Sequence, residues 1–468
     1  MNSTTSDASS FDTLPLSPAA RENLRRLGYL EMTAIQAASL PPALQGRDVI
    51  AQAKTGSGKT AAYALPLLAK LVVRRFTVQA LVLCPTRELA DQVTAEIRRL
   101  ARAEDNVKVV TLVGGVPLRA QTASLEHGAH VAVGTPGRVI DHLERGHLSL
   151  DGLETLVLDE ADRMLDMGFA DDIVKIAKQC PVRRQTLLFS ATYPESIAKL
   201  ATQYLREPVT VKVEAQHGSK QIEQRWYEVQ EDQRLLTVAS LLEHFRPVST
   251  LAFCNTKARC RELVELLQAQ GYSALALHGD LEQRDRDQVL VRFVNGSCSV
   301  LVATDVAARG LDIGGLAAVV NVDLSTDPHA HLHRIGRTGR AGQTGLVLSL
   351  TALAEMDSAV QIERLQGRSS VWHSLNELIP TPGGRLRPAM ATVHIQAGRK
   401  EKIRPGDVLG ALTADLGYAR EHVGKIDINE FATYVAVKWS IASEVVERLN
   451  TGRIKGRIVR ARLLAEQG

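Results

Sequence analysis

Short apolar runs alternate with longer amphipathic segments along the first 350 residues. The first series of runs that predict strands covers Asp48–Gln52, Ala80–Cys84, Val107–Val113, His130–Val133, Thr155–Leu158 and Gln185–Phe189. The second series covers Ser249–Phe253, Ala274–Leu277, Ser299–Ala303, Ala318–Val322 and Gly345–Leu350. Because strands that alternate with helices form parallel sheets, the pattern predicts two doubly wound α/β domains in tandem.

The C-terminal segment follows a different order. Strands are predicted at Thr392–Gln396, His422–Ile428, Tyr434–Val437 and Ile458–Leu464, and helices at Pro405–Leu416 and Ile441–Leu449. This βαββαβ order is typical of an RRM-like α+β domain. The predicted boundaries are 1–10 for a disordered tail, 11–212 and 221–366 for the α/β domains, 213–220 and 367–388 for linkers, and 389–468 for the last domain.

Composition narrows the class of protein. The chain has 468 residues, 45% of them hydrophobic, and no apolar run approaches the about 18 residues of a membrane span. Residues 1–10 lack the apolar core of a signal peptide. Five scattered cysteines without zinc-ligand spacing favour a reduced compartment. We therefore expect a cytoplasmic protein. Independently of composition, we expect it to act as a monomer.

Charge is distributed unevenly. The net charge is +4 for the whole chain, but residues 384–468 hold 15 Lys and Arg against 9 Asp and Glu, which gives +6 there. A small basic module is the electrostatic signature of a nucleic-acid partner, although a merely soluble basic domain has the same composition.

A glycine-rich segment, Ala53–Thr60, stands between an apolar strand and a helical stretch. In that context it predicts a phosphate-binding loop, even though Ala53 replaces the first glycine of the strict pattern. Lys59 can reach the β- and γ-phosphates, and the Thr60 hydroxyl can bind Mg²⁺. The residues predicted to bind nucleotide here are Thr55, Gly56, Ser57, Gly58, Lys59 and Thr60.

An acidic string, Asp159-Glu160-Ala161-Asp162, ends the apolar run Leu156–Leu158. A buried parallel strand delivers such carboxylates to the sheet edge where ligands bind. Asp159 suits Mg²⁺, and Glu160 suits the orientation or deprotonation of an attacking water. Alone the string is weak, since most acidic tetrapeptides are solvated turns, but the upstream loop supports it.

Further motifs occur in an order that resembles the DEAD-box RNA helicases, from about Phe11 to Leu350. They are Gly28-Tyr29 with Ile35-Gln36, Pro85–Ala90, Gly114-Gly115, Thr135–Arg138, Ser190–Thr192, Phe253–Thr256, Gln283–Arg286, Thr304–Asp312 and His333–Arg340. The resemblance implies two RecA-like domains, ATP and Mg²⁺ as cofactors, and RNA-stimulated ATP hydrolysis.

Individual roles follow from the resemblance. Gln36 matches the residue that reads adenine, although Met32 and Ala34 stand where the family often has prolines. Phe11 would stack on the base or merely anchor the tail, and Asp312 would contact ribose. Arg337 and Arg340 would supply charge to the γ-phosphoryl group, so that the catalytic set is complete only when the two domains close.

Two further groups of residues are implied. Those that would couple the acidic string to RNA are Asp162, Ser190, Thr192 and His333. Those that would contact the RNA backbone are Thr86, Arg87, Gly115, Thr135, Arg138, Arg286, Thr304 and Gly310. Hydroxyls, glycines and arginines suit phosphate and 2′-OH better than base edges, so recognition by the core should be independent of sequence.

The C-terminal segment resembles the RNA-binding domain of the DbpA subfamily, through Arg404–Leu412, Gly424–Ile426 and Ile454–Arg457. That subfamily binds a 23S rRNA hairpin during assembly of the large ribosomal subunit, in the pre-50S particle. Only Tyr434 and His394 stand at the stacking positions of an ordinary RRM. We expect basic loops to supply specificity instead, through Arg399, Lys400, Lys402, Lys425, Lys455 and Arg457.

The sequence thus predicts an ATP-dependent RNA helicase targeted to 23S rRNA. Two alternatives stay open: a general remodeller of mRNA or other structured RNA, and an ATP-gated RNA clamp with little unwinding. A DNA helicase is disfavoured, because the family's backbone contacts read the 2′-OH.

Overall fold

The computed structural model describes residues 9–53, 56–213, 222–308, 313, 315–339, 344–382 and 387–464. Two compact units are present. The first carries a seven-stranded sheet, and the second carries another seven-stranded sheet together with a four-stranded C-terminal sheet. The predicted fold class of two parallel-sheet domains and an α+β domain is confirmed.

The first α/β domain is a parallel sheet in the order β3-β4-β2-β5-β6-β1-β7. Its strands are β1 Val49–Gln52, β2 Ala80–Leu83, β3 Val109–Leu112, β4 Val131–Gly134, β5 Thr155–Asp159, β6 Gln185–Ser190 and β7 Val209–Lys212. Its helices are α1 Pro18–Arg26, α2 Ala34–Leu44, α3 Lys59–Lys70, α4 Arg87–Leu100, α5 Leu118–Glu126, α6 Pro136–Glu144, α7 Ala161–Asp166, α8 Ala170–Gln179 and α9 Glu195–Tyr204.

Helices cover both faces of this sheet, which explains why its strands are apolar along their whole length. Strand β2, for example, is buried at every position, Ala80 to Leu83. One apolar cluster forms around Val82 and Val157, and another on the opposite face around Leu81 and Leu156.

The second α/β domain repeats the architecture with the order β10-β11-β9-β12-β13-β8-β14, again parallel. Its strands are β8 Ile222–Glu228, β9 Thr250–Phe253, β10 Ala274–Leu277, β11 Val300–Ala303, β12 Ala318–Asn321, β13 Gly345–Thr351 and β14 Trp372–His373. Its helices are α10 Arg234–Phe245, α11 Lys257–Ala269, α12 Gln283–Val294, α13 Asp305–Ala308, α14 Pro328–Ile335 and α15 Met356–Gln366.

The C-terminal domain is an antiparallel sheet in the order β16-β17-β15-β18. Its strands are β15 Met390–Ile395, β16 Val423–Ile428, β17 Thr433–Lys438 and β18 Ala461–Leu463, and its helices are α16 Pro405–Gly410 and α17 Ala442–Thr451. The predicted helix Pro405–Leu416 is shorter than expected and continues as a π turn, Ala411–Asp415. There the Thr413 hydroxyl donates to the Leu409 carbonyl, the side-chain competition that distorts helices.

All five cysteines are buried and free of disulfide bonds. No helix in the described parts of the chain is long and apolar enough to cross a membrane.

Candidate functional site

The glycine-rich loop connects β1 to the N-terminus of α3, as predicted. Gly56 and Gly58 adopt φ angles of +83° and +90°, which favour glycine. A Cβ on Gly58 would lie 2.5 Å from the Gln36 side-chain nitrogen, so close packing also requires glycine there. Thr55, a predicted nucleotide contact, lies outside the described residues.

Gln36 is buried against this loop. Its Nε2 donates to the Gly58 carbonyl at 3.0 Å, and its Oε1 accepts from the Thr33 backbone N–H at 2.9 Å. The amide therefore fixes the start of α2 to the loop, and each of its two polar atoms keeps one further hydrogen-bonding site. Phe11 is also buried, with its ring edge-on to Tyr29 at 6.2 Å, and its role in base stacking stays a prediction.

Lys59 and Asp159 share a buried environment at the mouth of the loop. Lys59 Nζ and Asp159 Oδ1 have no hydrogen-bond partner among the described residues. The other carboxylate oxygen of Asp159 accepts from the Tyr63 hydroxyl at 2.8 Å. Burial raises the pKa of Asp159 to about 6, against the opposing effect of Lys59. Two buried groups with unused bonding capacity make this a candidate binding site.

Glu160 adopts a left-handed conformation with φ of +52°. A non-glycine residue in this region costs about 1–3 kcal/mol and is typical of functional sites. Its carboxylate accepts from the Arg163 guanidinium at 2.7 Å, and both side chains are buried. The strained backbone and the ion pair together fix the direction of the Glu160 carboxylate.

The structure brings Asp162, Ser190 and Thr192 together. One oxygen of Asp162 accepts from the backbone N–H of Thr192 at 2.8 Å and from its hydroxyl at 2.9 Å. The Asp162 backbone N–H donates to the Ser190 hydroxyl at 3.3 Å. The acidic string and the end of β6 are thus joined directly. His333, the fourth predicted coupling residue, lies on α14 of the second α/β domain.

One edge of the first sheet holds two kinds of motif in separate halves. The strands β5, β6 and β1 end in the acidic string, in Ser190 and in the glycine-rich loop. The neighbouring strands β3, β4 and β2 end in the predicted RNA contacts, since carboxyl ends of parallel strands share an edge. Those contacts are Thr86, Arg87, Gly115, Thr135 and Arg138.

The predicted RNA contacts hold one another in place. The Arg87 guanidinium lies against Gly114 and Gly115, where any Cβ would overlap it. Thr86 caps α4 by accepting from the Leu89 N–H. Arg138 donates to the Val116 carbonyl at 3.0 Å, beside the same glycines. This half therefore presents ordered hydroxyl, glycine and guanidinium groups.

In the second α/β domain, Arg334 joins three motifs. Its guanidinium is buried and contacts both oxygens of Asp305 at 2.7 and 2.6 Å and the Asn255 side chain at 3.2 Å. Arg286 donates to the Ala307 carbonyl, and the Thr304 hydroxyl accepts from the Ala307 N–H. Arg337 is buried directly after α14. The predicted residues Gly310, Asp312 and Arg340 lie outside the described residues.

Most of the predicted basic residues of the C-terminal domain gather at one end of the sheet. Lys455 Nζ donates to the Lys402 carbonyl at 2.9 Å and lies 3.3 Å from Asp407. Arg399 and Lys400 donate backbone N–H groups to the carbonyls of residues 429 and 430. Lys425 is elsewhere, on β16, and pairs with Asp427 at 3.2 Å. We call Arg399, Lys400, Lys402, Lys455 and Arg457 the basic rim.

Sequence reasoning missed three residues with structural roles at these sites. Arg163 stands three positions after Glu160, a helical spacing that indicates an ion pair. Tyr63 stands one helical turn after Lys59, which gives it the same orientation. Arg334 has no comparable local signal, because its partners are 11 to 79 positions away in the chain.

Comparisons with known proteins agree with this arrangement. Family models match residues 33–200 (DEAD/DEAH box helicase), 233–342 (helicase conserved C-terminal domain) and 392–463 (DbpA RNA binding domain). The ATP-dependent RNA helicase DbpA of Escherichia coli K12 is 51% identical over 97% of this chain and 99% of its own length. The DEAD-box ATP-dependent RNA helicase CshA of Geobacillus kaustophilus is 46% identical over 76% of this chain and 77% of its own.

Solved structures are similar as well. S. cerevisiae Dbp5 bound to RNA and ADP BeF3 has a TM-score of 0.72 at 30% identity, covering 79% of this chain and 96% of that one. Mss116p bound to ssRNA and AMP-PNP has a TM-score of 0.70 at 27% identity, covering 77% of both chains. On these matches and on its two-part sheet edge, the chain belongs to the DEAD-box ATP-dependent RNA helicases and ends in a DbpA RNA-binding domain.

Proposed function

We propose that this helicase separates short RNA duplexes locally and that its C-terminal domain directs it to a 23S rRNA hairpin in the pre-50S particle. The carrying observation is the shared sheet edge. Asp159 ends β5, the strand next to β2 and its predicted RNA contacts, and Lys59 follows β1 on the same edge. Lys59 Nζ and Asp159 Oδ1 have no hydrogen-bond partner in the described part of the chain. A single sheet can therefore couple the state of a bound nucleotide to the affinity for an RNA backbone.

For the nucleotide, Lys59 would neutralise the β- and γ-phosphates. A hydroxyl on Thr60 and the free oxygen of Asp159 form the hard oxygen donor set that Mg²⁺ prefers, so the residues fit this ion. Bound Mg²⁺ would supply charge neutralisation at the phosphates. Tyr63 holds the remaining Asp159 oxygen, which leaves Asp159 one direction in which to bind.

For hydrolysis, Glu160 would orient the attacking water and accept its proton. Arg163 keeps the carboxylate in one orientation, as the water must be aligned with the γ-phosphorus. Arg337 and Arg340 remain predicted sources of positive charge for the γ-phosphoryl group, and Gln36, Phe11 and Asp312 remain predicted contacts of the nucleoside.

For coupling, Asp162 would transmit a movement of the acidic string to the Ser190–Thr192 segment. Three donors converge on one Asp162 oxygen, so a shift of α7 cannot leave that segment in place. His333 is the predicted partner of this network from the second α/β domain.

For targeting, the basic rim of the C-terminal domain would bind the ribosomal RNA. The proposal rests on the +6 charge of residues 384–468 and on the DbpA domain match at residues 392–463. Since its relative of 51% identity is the bacterial RNA helicase DbpA, we further infer that the protein acts in the cytoplasm on ribosomal precursors. That it acts as a monomer stays a prediction.

Deleting residues from 388 onward tests the targeting. The truncated chain should keep a basal RNA-stimulated ATPase but lose its preference for a 23S rRNA fragment over a scrambled RNA of equal length. A preference that survives truncation would show that the core selects the RNA. Comparing RNA dissociation rates with strand-separation rates under ATP then separates an unwinding enzyme from a clamp.

A further inference from the structure

The C-terminal sheet has one face covered by its own helices and one that they leave free. Alternation along the central strands directs Val393 and Val435 into the domain core with α16 and α17. The intervening residues Thr392, His394 and Tyr434 therefore point to the opposite face. In an isolated domain this face would be open to solvent, and it is where an ordinary RRM stacks bases.

In this chain the centre of that face is closed. Thr392, His394 and Tyr434 retain 1%, 6% and 5% of their accessible surface. The His394 and Tyr434 rings lie side by side with centroids 5.1 Å apart, so the stacking pair has formed but is covered. A base cannot reach either ring without displacing what covers them.

The cover comes from the second α/β domain. Ser297 Oγ lies 2.6 Å from Thr392 Oγ1, and Asn295 Nδ2 donates to the same atom at 3.4 Å. Both residues stand in the turn that follows α12. From α12 itself, Asp287 and Arg284 contribute to the electrostatic environment of Tyr434. We call this contact the joint.

Outside the joint, an exposed aromatic side chain lies beside the basic rim. Phe431 is 60% exposed, and the Lys400 ammonium lies 4.6 Å from its ring centroid. The backbone N–H groups of Arg399 and Lys400 are bonded to residues 429 and 430, so the basic turn is fixed beside the ring. An exposed aromatic with fixed cations next to it is the combination that binds an unpaired nucleotide, by stacking and phosphate contact.

Resting on the proposed function, we propose that an unpaired RNA base stacks on Phe431 in the basic rim, while the sheet face that would ordinarily do this serves as the joint to the second α/β domain. Asn295 and Ser297, the residues of the joint, directly follow helix α12, and the first turn of that helix carries Arg286. RNA held at the rim is then kept at a fixed distance from a predicted backbone contact of the core.

Affinity measurements on the full chain test the stacking, with a fluorescent 23S rRNA hairpin and a scrambled RNA as probes. Phe431→Ala should weaken hairpin binding on the order of tenfold, the size of effect that alanine substitution has on base–aromatic stacking. Phe431→Trp should retain it. Trp439→Ala removes an aromatic that is 46% exposed at the other end of β17, and should stay within about twofold of wild type, since no stacking is assigned there.

Tyr434→Leu is the decisive comparison, because it removes the buried ring and leaves an apolar side chain in its place. Hairpin affinity should stay within about twofold, since stacking is assigned elsewhere. A loss as large as that of Phe431→Ala, or no loss in Phe431→Ala, would overturn the proposal. If wild type fails to prefer the hairpin, the proposed target is wrong. The effect of Phe431→Ala can still be measured with scrambled RNA, because stacking tolerates any base.

Hydroxyl-radical footprinting of the same chain tests the joint. Tyr434 should be unreactive in the free protein and become reactive in Thr392→Lys, which places a charge against Ser297. RNA should protect Phe431 and leave Tyr434 unchanged. A reactive Tyr434 in wild type, or an unreactive one in both Thr392→Lys and Ser297→Lys, would contradict the joint.

Discussion

The loop-bearing edge of the first sheet and the outer face of the C-terminal sheet are both buried, but for different reasons. At the edge, the chain buries charged groups and leaves Lys59 Nζ and Asp159 Oδ1 without hydrogen-bond partners in the described structure. At the C-terminal face, a hydroxyl pair between Thr392 and Ser297 satisfies the central contact. His394 Nδ1 and Asn295 Oδ1 are also buried there without partners, so unused bonding capacity alone does not separate the two regions. Buried charges without partners indicate a place for a charged ligand, whereas a face packed against another domain indicates a contact within the protein.

The largest effect should come from Glu160→Gln at the sheet edge. The amide keeps the size of the side chain but cannot accept a proton, and general-base contributions are about 10²–10⁴-fold. Steady-state ATPase at saturating RNA should fall by that factor, while binding of a fluorescent ATP analogue persists.

Glu154→Gln is the matched control, because Glu154 precedes the same strand and pairs with Arg75 in a surface position. Its ATPase should equal that of wild type. Near-normal turnover in Glu160→Gln would mean that another residue acts as the general base. The edge would then no longer differ from the C-terminal face by a catalytic role.

A smaller effect should follow from reversing charge at the basic rim. Lys455→Glu with Arg457→Glu should weaken hairpin binding far more than binding of scrambled RNA. The salt dependence should also flatten, by about 0.7–0.9 in log–log slope for each phosphate that the rim no longer neutralises. Binding measured at several salt concentrations gives both quantities.

Lys175→Glu with Lys178→Glu changes the net charge equally on α8 of the first α/β domain. This control should leave the difference between hairpin and scrambled RNA unchanged. If it reduces that difference as much as the rim variant does, the rim acts only through overall charge and carries no recognition.

These two regions also differ in how far the sequence predicts them. The loop at residues 53–60 and the string at 159–162 are contiguous, so local pattern locates both on strand ends and helix starts. Helical spacing alone could have indicated the contacts of Arg163 and Tyr63. An arginine after acids and a tyrosine in an apolar helix, however, also have common structural explanations. The fold class followed from the same local periodicity, although strands β7, β8 and β14 were not among the predicted runs.

The closed face was not predictable in this way. Alternation in β15 and β17 predicts a sheet with Thr392 and Tyr434 on one face, but not what covers it. The covering residue, Ser297, is 95 positions from Thr392. Burial that depends on such a contact has no signal in a single sequence. The sequence therefore predicts only that the stacking positions are incompletely occupied, by Tyr434 and His394, whereas the structure shows both residues covered.

A still smaller effect is expected at the edge from Tyr63→Phe. This change removes one hydroxyl that donates to Asp159 and leaves the buried ring in place. Loss of a hydrogen bond to a metal-binding side chain commonly costs about tenfold or more in metal affinity. The Mg²⁺ concentration needed for nucleotide binding should rise accordingly, and Mn²⁺ binding gives an independent measurement.

Tyr29→Phe is the matched control, because the Tyr29 hydroxyl also donates to a carboxylate, Glu96, at 2.7 Å. Its Mg²⁺ requirement should not change. An unchanged requirement in Tyr63→Phe as well would mean that Asp159 is oriented without its partner, and would weaken the case that the edge is prepared for a cation.

The smallest expected effect is a pH dependence of the joint. Burial, followed by the charges of Arg462 and Arg284, lowers the pKa of His394. Asp287 acts on the neighbouring Tyr434, while Lys425 and Asp427 on β16 neutralise each other. In the undocked domain His394 would return towards its ordinary pKa of about 6.5. Docking free energy is therefore fully present above that value and declines as the pH falls, by at most about 1.4 kcal/mol per unit.

Footprinting of Tyr434 at pH 7.5 and 5.5 measures this directly. Reactivity should increase at the lower pH in wild type, because protonation would place a third cation beside Arg284 and Arg462. His394→Gln keeps a polar side chain that does not titrate, and should remove the increase. A pH response that persists in His394→Gln would assign it to another group, whereas no response in wild type would mean that the joint tolerates a charged His394. The edge of the first sheet should not respond in the same way. There a bound cation would compensate the buried Asp159 carboxylate, and no neighbouring domain has to be released.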